Sequence, residues 1–138
     1  STTGLRAPTV TAMRFVKGTT ANTDLTAVDS TGRILVEITY DEAVTVAGSP
    51  QVVVANNNAS GGGFGNYTLT YTATGSTANR IRFEATSQSL GNTDVLTLGG
   101  SNISLNGGTI SDTAVGGTTL AASLALDGIS AVAVTIAS

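Results

Sequence analysis

The side chains able to do chemistry in this 138-residue chain are few and narrow in type. It has no histidine and no cysteine. The commonest general base and transition-metal ligand is therefore missing, and so are disulfides and thiolate metal sites. Carboxylate chemistry and oxygen-ligated calcium survive. Asp41 and Glu42 adjoin at the head of DEAVTVAGSPQVVV. With Asp112 and Asp127 they make the candidate calcium set, since calcium gathers about six to eight oxygens, several from carboxylates. No D-x-D-x-D-G loop accompanies them. The competing expectation is a polar strand end turned to solvent, with Glu42 near an arginine. Paired carboxylates also hydrolyse glycosides. Here the nine acidic residues are scattered and few aromatics are present to stack a sugar, so no enzyme is expected. No cofactor other than calcium comes into question.

Two further features could serve recognition. The loop NNNASGGGFGN, residues 56–66, carries a glycine run but lacks the Lys-Ser/Thr and following helix of a phosphate cradle. It reads either as a flexible connection or as a partner-contacting tip with Phe64 as its apolar anchor. Arg80 and Arg82 alternate with Ile81 and Phe83, which puts both arginines on the outer face of one strand. They read either as edge charges that discourage strand pairing between molecules or as a patch for an acidic partner.

The elements that must position these residues are strands. Helical periodicity is nearly absent, and alternation with a period of two recurs along the chain. It predicts strands over 8–17, 33–46, 51–55, 67–73, 80–85, 94–98, 102–105, 109–111 and 129–137. A polar connection with a short strand is expected over 21–30, and a strand or irregular edge over 118–126. Within 33–46, Val36, Ile38 and Tyr40 share one face and Arg33, Glu37 and Thr39 the other. Leu35 interrupts that polar face, so part of it should be covered. Hydrophobic residues make up 41% and aromatics 4%, so the core is expected to be Val, Ile, Leu and Ala. Charged residues are 11%, against about a quarter in ordinary proteins, and the net charge is −3. With no basic cluster, phosphate-mediated nucleic-acid binding is not expected. No apolar run is long enough to span a bilayer, so no membrane insertion is expected. The opening STTGLRAPTV has no apolar leader core, which fits either a leader already removed or a trimmed initiator methionine. Many short strands with turn signals at near-regular intervals predict an all-β, Ig-like Greek-key β-sandwich forming a single domain over 1–138.

The order of the motifs resembles the bacterial Ig-like repeats of large surface adhesins. APTVTAMRF is similar to their first strand, and ILVEITYDEAVTVAGSPQVVV to their second and third. YTLTYTA and ISLNGGTISDTAVGG resemble the middle strand and an N-G-G-T-I-x-D segment, and SLALDG the end of a repeat. The resemblance covers about residues 7–128. It implies a non-catalytic module that presents, spaces or joins surfaces, either in secreted adhesins or, as related Ig-like domains do, on tailed phage particles.

Only one copy is present, and ISAVAVTIAS follows it in place of a new repeat. Adhesin reach comes from multiplied domains. A virion component is therefore expected, either a capsid decoration protein or a tail- or fibre-associated one. Its partners would be further copies of itself, the major capsid protein or other virion proteins, and its place the virion surface. An N-terminal arm, 1–8, and the C-terminal strand, 129–138, would make assembly contacts. The alternative is an extracellular bacterial surface protein: an adhesin, a filament subunit or a surface-layer subunit.

Overall fold

Alternating apolar residues cannot be buried by one strand alone, so the strands pair and turn their apolar faces to a common interior. The computed structural model describes residues 6–17, 20–21, 24–25, 32–62, 65–112 and 119–137. Among them the chain forms eleven strands and no helix: β1 (Val10–Lys17), β2 (Thr20–Ala21), β3 (Asp24–Leu25), β4 (Ile34–Tyr40), β5 (Val44–Ala47), β6 (Gln51–Asn56), β7 (Asn66–Thr72), β8 (Arg80–Ala85), β9 (Val95–Leu98), β10 (Thr109–Asp112) and β11 (Val132–Ile136). Nine of them make one sheet, in the order β2-β1-β4-β8-β7-β6-β9-β11-β3, and β10 pairs with β5 in a separate ribbon. All pairings are antiparallel except the short one between β11 and β3. The large sheet curls until β1 lies against β11, and the two halves enclose the core in the manner of a sandwich.

The register places the core residues in facing rows. Ile34, Val36, Ile38 and Tyr40 point inward from β4, Ile81 and Phe83 from β8, and Leu69 and Tyr67 from β7. Val52 and Val54, Leu96 and Leu98, and Val134 and Ile136 close the other half. Burying each such side chain contributes about 1.5–3 kcal/mol. The largest fully buried side chains are Tyr40, Tyr67 and Phe83. The scarce aromatics are thus concentrated in the core rather than left out of it, and alanine contributes little beyond Ala122. Tyr71 stands edge-on to Phe83 with ring centroids 6.2 Å apart.

Two expected elements differ, and a third, the stretch 118–126, takes in its described part the irregular one of its two expected forms. The run 33–46 is two strands in two sheets, because the chain bends at Asp41 and Glu42 before β5 turns to pair with β10. The stretch 102–105 is a single bridge, Ser104 to Gln51, reached after the chain bends away from β9 at Gly99 (φ +149°) and Gly100 (φ +80°). Residues 119–126 are irregular apart from a bridge between Ala121 and Ser111. Asn106 (φ +50°) and Gly107 (φ +80°) form the tight turn into β10, closed by the Gly108 amide donating to the Leu105 carbonyl. Positive φ at both central residues is what a type I′ turn requires, and Asn-Gly supplies it.

Candidate functional site

The bend at Asp41 shows what the DEAV corner does. The Asp41 amide donates to the Thr9 carbonyl at 2.9 Å, and the Asp41 carboxylate receives the Thr9 amide at 3.0 Å and hydroxyl at 2.9 Å. The Arg6 guanidinium joins it at 3.1 Å. The Thr9 amide above all holds the Asp41 carboxyl below the usual carboxylate range; burial opposes it, and the Thr9 hydroxyl and Arg6 add to the lowering. Asp41 thus fastens the start of β1 to the end of β4 where the chain changes sheets. Glu42 is half-buried beside it. Asp112 is buried at the end of β10, where its carboxylate receives the Leu120 amide at 2.7 Å, and Asp127 is exposed. Among the described residues, no three acidic side chains come together as a metal-holding group.

A second constellation crosses the outer face of β1, β4 and β8. Register sets Arg14 opposite Glu37, and Glu37 opposite Arg82. Glu37 receives Arg14 Nε at 3.0 Å on one oxygen and Arg82 Nε at 3.1 Å on the other. Arg33 pairs with Glu84 at 2.6 Å along the same face. The expectation of two solvated edge arginines is corrected here. β8 lies between β4 and β7, so it is no edge, and Arg82 is only 6% exposed. The turn after β7 covers it: Gly75 (φ +79°) rests so close that a Cβ there would stand 2.5 Å from Arg82 Nη1. Ser76 Oγ accepts the Arg82 amide at 2.9 Å. Arg80 is exposed. Leu35 is buried on this same face, as its interruption of the polar pattern implied.

The third constellation was not foreseen. Asp94 is fully buried just before β9. One of its oxygens receives the Ser60 amide at 2.9 Å, and the other receives Asn56 Nδ2 at 3.0 Å and the Gly91 amide at 3.2 Å. Asn56 Nδ2 also donates to Tyr67 Oη at 3.0 Å, and that hydroxyl donates to the Ser89 carbonyl at 2.6 Å. The Asn56 amide, then the Ser60 backbone, outweigh burial and pull the Asp94 carboxyl down to about 2. The turn that delivers Asp94 holds Thr93 at φ +77°, a conformation a β-branched residue rarely adopts. Its amide donates to the Ile136 carbonyl at 2.7 Å, which fixes it there. A lone aspartate in GNTD gave no sequence signal, because its partner Asn56 is distant in the chain.

Phe64 lies outside the described residues, as do residues 1–5 of the expected N-terminal arm. Of that arm, Arg6 meets Asp41 and the Pro8 carbonyl accepts the Ser123 amide, so its described part is bound within the chain. The geometry offers carboxylates held singly against donors, which is suited to fastening strands and loops. No family model, no curated protein and no solved structure matches the chain.

Proposed function

We propose that the chain is a non-catalytic, Ig-like structural module that docks on a larger assembly, as a bacteriophage virion component of the decoration, tail or fibre kind. Several observations support the Ig-like part. If β1, β4, β6, β7, β8, β9 and β11 are lettered A to G, their order reads A-B-E-D-C-F-G. Constant-type Ig domains carry A-B-E-D in one sheet and C-F-G in the other. The ribbon of β5 and β10 is an addition to that frame. The non-catalytic part is supported by the carboxylates of Glu37, Asp41, Glu84 and Asp94, each occupied by donors that hold the fold together. The role requires no cofactor.

The observation that carries the docking role is the outer face of β7, β6, β9 and β11. Register sets Val53 beside Thr68, Ala55 beside Thr97, and Thr97 beside Ala133. This face bears no charged residue along those strands, and Val53 on it is 43% exposed. Interface cores are depleted of charge in the same way. The opposite outer face carries Arg14, Glu37, Arg80, Arg82 and Glu84, of which Arg80 is exposed while Glu37 and Arg82 are buried against each other.

The test mixes the purified protein with shells of the virus encoding it and sizes the mixture by light scattering. Stoichiometric binding that Val53→Lys and Thr68→Lys abolish is the expected result. Self-assembly into filaments or sheets without shell binding would replace this reading with a bacterial surface polymer.

A further inference from the structure

The loop between β6 and β7 is described over residues 57–62 and at Gly65, and those residues carry no charge. Residues 59–62 are exposed, small and without charge. Such a segment has no apolar side chain to bury and should sample many conformations. The structure instead ties it inward at two points: Asn57 exchanges hydrogen bonds with Val95 of β9, and a buried carboxylate holds the residues beyond it. Asp94 receives the Ser60 amide from the loop, the Asn56 side chain from the end of β6, and the Gly91 amide from the turn before β9. Asn56 passes the restraint on, because its Oδ1 receives the Asn58 amide at 2.9 Å. Ser60 then receives the Gly62 amide on its hydroxyl at 3.0 Å. Gly91 is part of the fit: a Cβ there would collide with the Ser60 side chain. Two stretches remote in sequence, 56–60 and 91–94, therefore meet at one side chain that plays no part in the strand ladders.

We propose that Asp94 is a positioning residue that fixes the conformation of loop 58–62 from beneath, beyond the point where Asn57 bonds to β9, as part of the surface offered to a partner. The partner clause rests on the docking role proposed above; the fixing of the loop does not. A buried carboxylate serves here because it accepts several N–H bonds at once, and each donor it lost would be left without its acceptor.

The experiment is residue-resolved amide hydrogen exchange on the whole chain, without any partner. In the wild-type protein under low denaturant, the Ser60 and Gly91 amides should exchange together through an opening smaller than global unfolding. Merger of both with the exchange of Val36 and Phe83 would overturn the proposal. In Asp94→Asn, the Ser60 and Gly91 amides should exchange at least tenfold faster while Val36 and Phe83 keep their protection. Unchanged rates at Ser60 would overturn it. Gly91→Ala should speed Ser60 similarly through the collision alone, with the carboxylate intact, and a Ser60 amide as slow as in the wild type would count against the proposal. If Asp94→Asn does not fold, the wild-type and Gly91→Ala measurements still decide. A protein that shows this exchange pattern yet binds no shell would refute the docking role and leave the loop-positioning role standing.

Discussion

Replacing Glu37 by leucine should destabilise the protein far more than replacing Glu37 and Arg82 together. Glu37 and Arg82 are 4% and 6% exposed, and each carboxylate oxygen of Glu37 takes a different arginine. Removing one partner of a buried pair costs about 3–5 kcal/mol, because the other charge stays buried without compensation. The two arginines left behind are not equivalent. Arg14, with its side chain 37% exposed, can turn to water. Arg82 cannot, since the Gly75 turn covers its guanidinium. The Glu37→Leu loss therefore falls to Arg82 alone, which puts it at about 3 kcal/mol, the lower end of the range. In the double variant Glu37→Leu/Arg82→Leu no charge is stranded, and apolar side chains of similar volume replace the pair. Such exchanges are often neutral or better, so stability should return to within about 1 kcal/mol of the wild type. With an m-value of about 2 kcal/mol/M in urea, the single variant should lower the midpoint by about 1.5 M. The double variant should recover most of it. A double variant as unstable as the two single losses added together would refute this reasoning. So would a single variant that loses less than about 1 kcal/mol, since Arg82 would then reach water by a route the structure does not show.

Three other outcomes follow from the same physics. Asp94 titrates at about 2 in the folded protein, below the unfolded value of about 3.9, so it contributes stability above pH 4 that is lost as pH falls toward 2. Chemical unfolding at stepped pH should show that acid loss, and Asp94→Asn should lack it. Tyr40 is raised to about 12 by burial, and its hydroxyl donates to the Ser123 carbonyl at 2.8 Å. Its contribution is complete below pH 10 and is lost as pH rises toward 12, while Tyr40→Phe should remove that alkaline loss and cost about 1 kcal/mol near neutrality. Thr93→Gly should raise the melting temperature by relieving a left-handed β-branched residue, a gain of about 1 kcal/mol after the added chain entropy of glycine; a lower melting temperature would show that Thr93 is not strained.

Alternation alone located most of the strands, because side chains of a half-buried strand must alternate whatever their neighbours. It failed at Asp41, where the alternation runs on through a corner: β4 and β5 both carry apolar residues at alternate positions. Residues remote in sequence, Thr9 and Arg6 on Asp41 and Ala78 and Asn79 on its neighbours, fasten the bend between them. It also failed for Arg82. A period-two pattern says which face a residue occupies, and that part of the expectation agrees with the structure. Whether the face is covered depends on a turn folding back over it, and Gly75 allows that only through its positive φ and missing Cβ.

The sequence by itself determined the class of this protein. Missing histidine and cysteine removed whole chemistries, and repeated alternation with scarce charge demanded strands around an aliphatic interior, in which the structure also sets Tyr40, Tyr67 and Phe83. The tertiary structure decided the pairings. It chose which strands adjoin, set Arg14, Glu37 and Arg82 in one row, and brought Asn56, Ser60 and Gly91 around Asp94. Local propensity acts between neighbours in sequence. These arrangements depend on register between strands far apart in the chain, and register is set only when the whole apolar face is buried together.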